Sequence, residues 1–156
     1  MRVALASDHA GAALKADLVD YVASLGHEAV DLGADGSCSV DYPDFARAAA
    51  EGVADGRYHR AILVCGTGLG MSIAANKVTG IRAALCHECY SARMSREHND
   101  ANVLCLGQRV VGTGLARDVA RVFLETEFSQ GPNHRRRIEQ IAAYETGTRS
   151  PGGSRP

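Results

Sequence analysis

The chain has 156 residues, 46% of them hydrophobic and 22% charged, with a formal net charge of −1. That is the length of one domain with material for a core, with no global field drawing it to nucleic acid or a membrane surface and no apolar run near the roughly 20 residues of a membrane span. The 5 cysteines, Cys38, Cys65, Cys86, Cys89 and Cys105, are odd in number and irregularly spaced, which argues against a disulfide framework.

The opening residues, MRVALASDHAG, hold too short an apolar stretch for a signal peptide and read as a first strand, Val3–Ala6, so a cytoplasmic protein is expected. A polar turn, Ser7-Asp8-His9, follows. The next segment predicts a helix over Ala12–Ser24, with Leu14, Leu18, Tyr21 and Leu25 on one face and Gly26 as its C′ residue. His27–Asp31 predicts a second strand and Asp44–Ala54 a second helix. Ala61–Val64 is a buried-type strand that runs straight into Cys65. A glycine-rich turn (Gly66, Gly68, Gly70) then leads into a short helix over Met71–Asn76. Strand Ala83–Cys86, helix Tyr90–Glu97, strand Val103–Leu106 and helix Gly114–Thr126 follow, the last with Leu115, Val119, Val122 and Phe123 on one face. A final helix spans Arg136–Tyr144. Residues 1–145 make the domain, and the tail 146–156 (TGTRSPGGSRP) has no apolar residue and is expected to be disordered.

Strands separated by single helices imply right-handed crossovers and a parallel sheet. The expected fold is an α/β three-layer sandwich with a five-stranded parallel sheet, Rossmann- or flavodoxin-like, with an extra C-terminal helix. In the flavodoxin-like order 2-1-3-4-5, strand order reverses between strands one and three, and ligands bind at the carboxyl ends of strands at that reversal. The turns after those two strands are Ser7-Asp8-His9 and Cys65-Gly66-Thr67-Gly68, so both converge on one crevice.

Free N–H groups and the dipole of a helix N-terminus bind anions and favour a thiolate over a thiol. Cys65 is therefore a candidate base or nucleophile beside an anion cradle. The turn Gly66–Gly70 (GTGLG) is neither G-x-G-x-x-G after a first strand nor a Walker loop. Cys86-His87-Glu88-Cys89 contains C-x-x-C, yet there is no second ligand pair for zinc and no thioredoxin-like placement. Cys86 and Cys105 read as small buried hydrophobes. His98 and Asn99, in SREHNDAN, are expected at a helix end on the same sheet edge as Cys65. Arg109, just past the last strand, is a phosphate candidate, and the run Arg135-Arg136-Arg137 is either a solvated helix face or a phosphate ligand.

On these residues the chain resembles the type B ribose-5-phosphate isomerase family, which has allose-6-phosphate and galactose-6-phosphate isomerases as relatives. The matching segments are SDHAG (Ser7–Gly11), DYPDFA (Asp41–Ala46), CGTGLGMSIAANK (Cys65–Lys77), GIRAAL (Gly80–Leu85), SREHNDANVLCLGQRVVG (Ser95–Gly112) and RRIEQI (Arg136–Ile141). The resemblance implies aldose–ketose isomerisation of a sugar phosphate without metal or cofactor. It implies a homodimer or homotetramer with sites shared between subunits. Cys65 resembles the base that moves a proton between C1 and C2, and His98 the residue that opens the furanose ring. Asp8 and His9 resemble holders of hydroxyls and phosphate. Gly66, Thr67, Gly68, Leu69 and Gly70 resemble the anion hole, with Thr67 also counted as catalytic. Asn99 lines the site, and Arg109 and Arg137 resemble phosphate ligands. One departure stands out: where the family has Arg-His-x-x-Arg, this chain reads Asn133-His134-Arg135-Arg136-Arg137. The implied first substrate is ribose 5-phosphate, with another aldose phosphate, or sugar-phosphate binding without catalysis, as alternatives.

Overall fold

The apolar runs become strands β1 (Arg2–Ser7), β2 (Glu28–Asp31), β3 (Arg60–Cys65), β4 (Ala83–Leu85) and β5 (Val103–Gly107). Between and after them lie helices α1 (Ala12–Ser24), α2 (Tyr42–Ala54), α3 (Leu69–Ala75), α4 (Cys89–Asn99), α5 (Thr113–Glu125) and α6 (Pro132–Glu145). This computed structural model describes residues 1–147; the expected disorder of the tail from 148 onward lies outside the described residues. Every strand pair is parallel, as the crossover argument requires. The order, however, is β2-β1-β3-β5-β4 rather than 2-1-3-4-5. The reason lies in burial: all of β5 is buried, whereas β4 is a three-residue, half-buried strand. A strand apolar on both faces takes the interior place, and a short one the edge. The reversal between β1 and β3 is unaffected.

The two faces of the sheet carry separate cores. Val3, Leu5, Ile62 and Leu104 pack with Leu14, Leu18, Val119 and Phe123 of α1 and α5. On the other face Ala4, Ala6, Ala61 and Leu63 meet Ala46, Ala49 and Ala50 of α2 and Met71 of α3. Alanine against alanine lets α2 lie close to the sheet. Cys65 follows the period-2 alternation of β3 and faces this second layer.

Helix starts differ from expectation where local backbone chemistry decides them. Pro43, fixed at a helix-compatible φ, pulls the start of α2 back to Tyr42. Gly68, at φ 78°, caps α3 and starts it at Leu69. Gly26 takes φ 83° beyond α1, the expected C′ geometry. Leu115, expected on the apolar face of α5, is 43% exposed because it sits in the first turn, before the helix reaches its neighbours.

Arg60 opens β3 from within the core. Its guanidinium donates 2.7 Å hydrogen bonds to the carbonyls of Phe123 and Leu124, at the end of α5. The Phe123 ring lies between two guanidinia, with Arg60 5.7 Å and Arg96 5.8 Å from its centroid. Burial, and secondarily Arg96, push the Arg60 pKa down to about 10, so the group is still charged at neutral pH. Arg60→Leu leaves two α5 carbonyls without their donor, and a loss of about 2–3 kcal/mol is expected. Urea unfolding checks this: the midpoint should fall while the slope is unchanged.

Candidate active site

Two turns meet at the carboxyl edge of the sheet. The Asp8 N–H donates to the carbonyl of Val64 at 3.3 Å, which ties the turn after β1 to the end of β3. Asp8 is 7% exposed, and its carboxylate accepts the N–H groups of Ala10 and Gly11 at 2.9 and 3.0 Å. His9 Nδ1 accepts the Val40 N–H at 3.3 Å. Only a residue without Cβ fits at position 11, because a Cβ there would stand 2.5 Å from the Val64 oxygen.

Cys65 is 5% exposed and its Sγ accepts the Gly68 N–H at 3.1 Å. The carbonyl of Cys65 accepts the Gln108 N–H at 2.9 Å, and that of Gly66 accepts the Arg109 N–H at 3.0 Å. In a trans peptide the N–H points away from the preceding carbonyl. Holding these two carbonyls on the β5 side therefore turns the N–H groups of Gly66 and Thr67 to the other side. Among the described residues neither has an acceptor. Helix α3 is only 7 residues long, so the cradle consists of these turn amides more than of a helix dipole. Thr67 Oγ1 accepts the Leu69 N–H at 3.4 Å, and Leu69 itself projects outward, 55% exposed. The Tyr42 ring covers Gly70, where a Cβ would meet it at 2.6 Å. Arg109 lies over Gly66: a Cβ there would stand 3.5 Å from its Nη1. Its guanidinium has no ion-pair or hydrogen-bond partner among the described residues.

His98 and Asn99 are elsewhere, and this corrects the expectation that they share the edge of Cys65. A helix that follows a parallel strand must travel back before the next strand can start. Helix α4 leaves the carboxyl end of β4 and ends at the amino edge. There the Asn99 carbonyl accepts Arg82 Nε at 2.8 Å, just ahead of β4, and the Asn102 carbonyl accepts the Ala61 N–H at 3.1 Å, at the start of β3. The length of β3 puts about 15 Å between His98 and the Cys65 of the same chain.

At that amino edge His98 meets α6. The rings of His98 and His134 have centroids 4.2 Å apart. His134 Nδ1 is 2.8 Å from Ser129 Oγ, and the Ser129 N–H donates to the carbonyl of Glu97 at 3.1 Å. Arg137 is one turn beyond His134 on the same side of α6. Arg135 is engaged with Gln130 Oε1 at 2.5 Å, while Arg136 and Arg137 carry no side-chain partner among the described residues. The candidate residues thus form two groups: Asp8, His9, Cys65–Gly70 and Arg109 at one edge, His98, Asn99 and Arg137 at the other.

Gln108 and His134 were not singled out by the sequence reading. Gln108 ties the Cys65 carbonyl by its backbone, and its Oε1 accepts the Leu14 N–H at 2.8 Å. Its signal was its place beside Arg109. His134 stands in the Asn133–Arg137 stretch, where only the arginine positions were given a role. Cys86 and Cys105 are buried as expected, and burial pushes both thiols up, Cys105 far up.

An open parallel sheet whose reversal point carries a cysteine and outward-turned amides defines the class: an enzyme built to hold a small anionic substrate. The model of the ribose/galactose isomerase family matches residues 3–141. Ribose-5-phosphate isomerase B of Escherichia coli is 45% identical over 144 residues, 92% of this chain and 96% of that one. D-erythrulose-4-phosphate isomerase of Pectobacterium atrosepticum is 42% identical over 147 residues, 93% and 95% of the two chains. The structure of ribose-5-phosphate isomerase B from Clostridium thermocellum superposes with a TM-score of 0.92 at 52% identity, covering 94% of this chain and 99% of that one. The chain belongs to the ribose/galactose isomerase family and is an aldose–ketose isomerase.

The turn depends on Gly68. Its φ is 78°, and a Cβ would stand 2.9 Å from the Leu106 carbonyl carbon. Gly68→Ala should cost roughly 2 kcal/mol in stability and displace the N–H that meets Cys65. Thermal unfolding and isomerase assays should show both losses together.

Proposed function

We propose that the protein interconverts an aldose phosphate and its ketose through a cis-enediolate, with ribose 5-phosphate to ribulose 5-phosphate as the first reaction. The observation that carries this reading is the pairing of the Cys65 thiol with the outward amides of Gly66 and Thr67. A proton alpha to a carbonyl is too weakly acidic for a thiolate alone. Preorganised donors where oxygen charge develops lower that barrier, each contributing roughly 3–4 kcal/mol.

In the proposed sequence His98 takes the anomeric hydroxyl proton and delivers one to the ring oxygen, which frees the C1 aldehyde. Cys65 removes the C2 proton, and the electron pair moves onto O1. The enediolate oxygens face the Gly66–Gly70 turn. Cys65 returns its proton to C1, O2 becomes the carbonyl, and the O2 proton passes to O1. Thr67 Oγ1, beside the cradle, is placed to relay that last proton. Every hydrogen moves as a proton, so neither metal nor redox cofactor enters. Asp8, His9 and Asn99 hold sugar hydroxyls, and Arg109 and Arg137 hold the phosphate.

Since His98 and Cys65 of one chain are at opposite edges, this chemistry needs a second copy. A two-fold axis perpendicular to the strands sets the amino edge of one subunit against the carboxyl edge of its mate and closes two such sites. A homodimer is therefore the smallest active unit of this reading.

A second substrate reading rests on the relative from Pectobacterium atrosepticum, named a D-erythrulose-4-phosphate isomerase, together with Asn133 where the family pattern has arginine. Assays of tetrose, pentose and hexose phosphates for ketose formation decide between them: ribose 5-phosphate should give the highest kcat/KM, and a higher value on the tetrose would select the second reading.

Cys65→Ala should lower kcat by about 10³-fold with the fold intact; near-normal turnover would remove Cys65 from the role of base. His98→Asn should harm ribose 5-phosphate much more than a tetrose phosphate, which has no ring to open. Mixing unfolded Cys65→Ala and His98→Asn chains and refolding them together should restore about a quarter of parental activity, because half the dimers then carry one intact composite site. Heterodimers without activity would put both residues in one chain's site.

A further inference from the structure

We propose that His87 is a positioning residue for the anion cradle: its unprotonated Nε2 holds the Leu106–Gly107 peptide on which Thr67 and Gly68 rest. The inference goes deeper into the reaction proposed above and rests on that reading for its kinetic test.

The reason a side chain is needed lies in the sheet. Strand β4 ends at Leu85, and the last ladder contact beyond it is the Cys86 N–H on the Cys105 carbonyl at 3.2 Å. Strand β5 continues to Gly107, beyond its neighbour. On the β3 side its groups are matched, since Gln108 donates to Cys65. N–H groups alternate sides along a strand, so the Gly107 N–H points to the β4 side, where no strand carbonyl is left to meet it. His87 supplies the acceptor: the Gly107 N–H donates to Nε2 at 3.1 Å. A backbone N–H can only donate, so Nε2 carries a lone pair and the ring hydrogen is on Nδ1.

The opposite side of the same peptide faces the cradle. A Cβ on Gly68 would stand 3.0 Å from the Leu106 oxygen, and one on Gly107 would stand 2.6 Å from the Thr67 carbonyl carbon. The peptide between Leu106 and Gly107 is thus the floor under the turn. Gly107 has no side chain to limit its rotation, so hydrogen bonds must. Its carbonyl accepts from Val110 and Val111 at 2.9 and 3.0 Å, and its N–H depends on His87. From Gly107 the connection runs directly to Gln108 and Arg109, whose N–H groups orient the Cys65 and Gly66 carbonyls. Tilting this peptide moves the amides that meet the enediolate, and leaves Arg137, on α6, where it is.

The test compares His87→Leu, which has no acceptor, with His87→Gln, whose amide oxygen can replace Nε2. His87→Leu should lower kcat by about ten- to thirtyfold and change KM less than about threefold. His87→Gln should recover most of kcat. A phosphorylated hydroxamate shaped like the enediolate should lose affinity in His87→Leu by about the same factor as kcat, while affinity for inorganic phosphate, which Arg137 also holds in the proposed site, falls less. A folded His87→Leu protein with parental kcat, or a Gln variant no better than Leu, would overturn the proposal. In the parent protein, 15N NMR of the His87 ring should show the hydrogen on Nδ1, and the Gly107 amide should exchange slowly with solvent; a hydrogen on Nε2 would overturn the proposal without any variant. These two measurements also decide it where His87→Leu does not fold, or where no aldose phosphate is converted and the proposed reaction itself fails.

Discussion

Two hydrogen bonds decide which way the cysteine turn faces: Gln108 N–H to the carbonyl of Cys65, and Arg109 N–H to that of Gly66. A glycine-rich turn has many conformations of similar energy. Left alone, it would present carbonyls to the crevice as readily as amides, and a carbonyl repels the oxygen charge an amide would stabilise. Pinning the two carbonyls to the chain after β5 removes that choice. The rest of the edge serves the same end. Gly11 lets the turn after β1 come into contact with β3, Gly68 lets the chain turn over Leu106, and the Arg109 that closes the turn also brings its guanidinium above Gly66. The cradle is thus held by backbone hydrogen bonds from one strand end to another, with few side chains involved in the fixing.

The same parallel topology that makes this edge separates it from His98. The crossovers between parallel strands send each crossover helix from the carboxyl edge back to the amino edge, so residues late in α4 and residues late in β3 are set apart by the length of the strands. No side-chain rotation closes about 15 Å. A chain of this fold that uses both ends for one reaction must bring two copies together, antiparallel across a dyad. The tilted contact of the His98 and His134 rings and the anchoring of His134 by Ser129 tie the amino-edge group together within the chain. In the proposed dimer such pre-tied halves matter, since the entropy lost in aligning the catalytic groups is then met once, at assembly, and not at each turnover.

Much of this was legible in the residues. The β1 and β3 runs, the Gly26 cap and the convergence of Ser7-Asp8-His9 with Cys65–Gly68 follow from apolar periodicity and one rule of sheet topology. What was not legible depends on relations between distant segments. The exchange of β4 and β5 turns on how completely each strand is buried, which Ala83–Leu85 and Val103–Gly107 do not reveal one at a time. The edge occupied by His98 was misjudged because a motif in sequence, EHND before a strand, has no direction until the helix holding it is placed. Gln108 escaped notice because its contribution is made by a backbone N–H that any residue carries.

The loop before α6 shows how a local change is absorbed. Pro132 opens the helix and Gln130 takes φ 59°, so the chain turns sharply just ahead of Asn133. Gln130 then occupies the Arg135 guanidinium, which argues against Arg135 as the replacement for an arginine at 133. Arg137 remains, one helical turn from His134 and unpaired among the described residues, and Arg136 beside it is equally free. A phosphate dianion that meets one forked guanidinium where the family pattern offers two is held less tightly at that end. Binding energy drawn from the non-reacting end of a substrate is what aligns the reacting end. In the proposed reaction, with less of it available, the alignment must come more from the cradle itself, and the fixing of the Cys65 turn through Gly107 to Arg109 becomes the part on which turnover most depends.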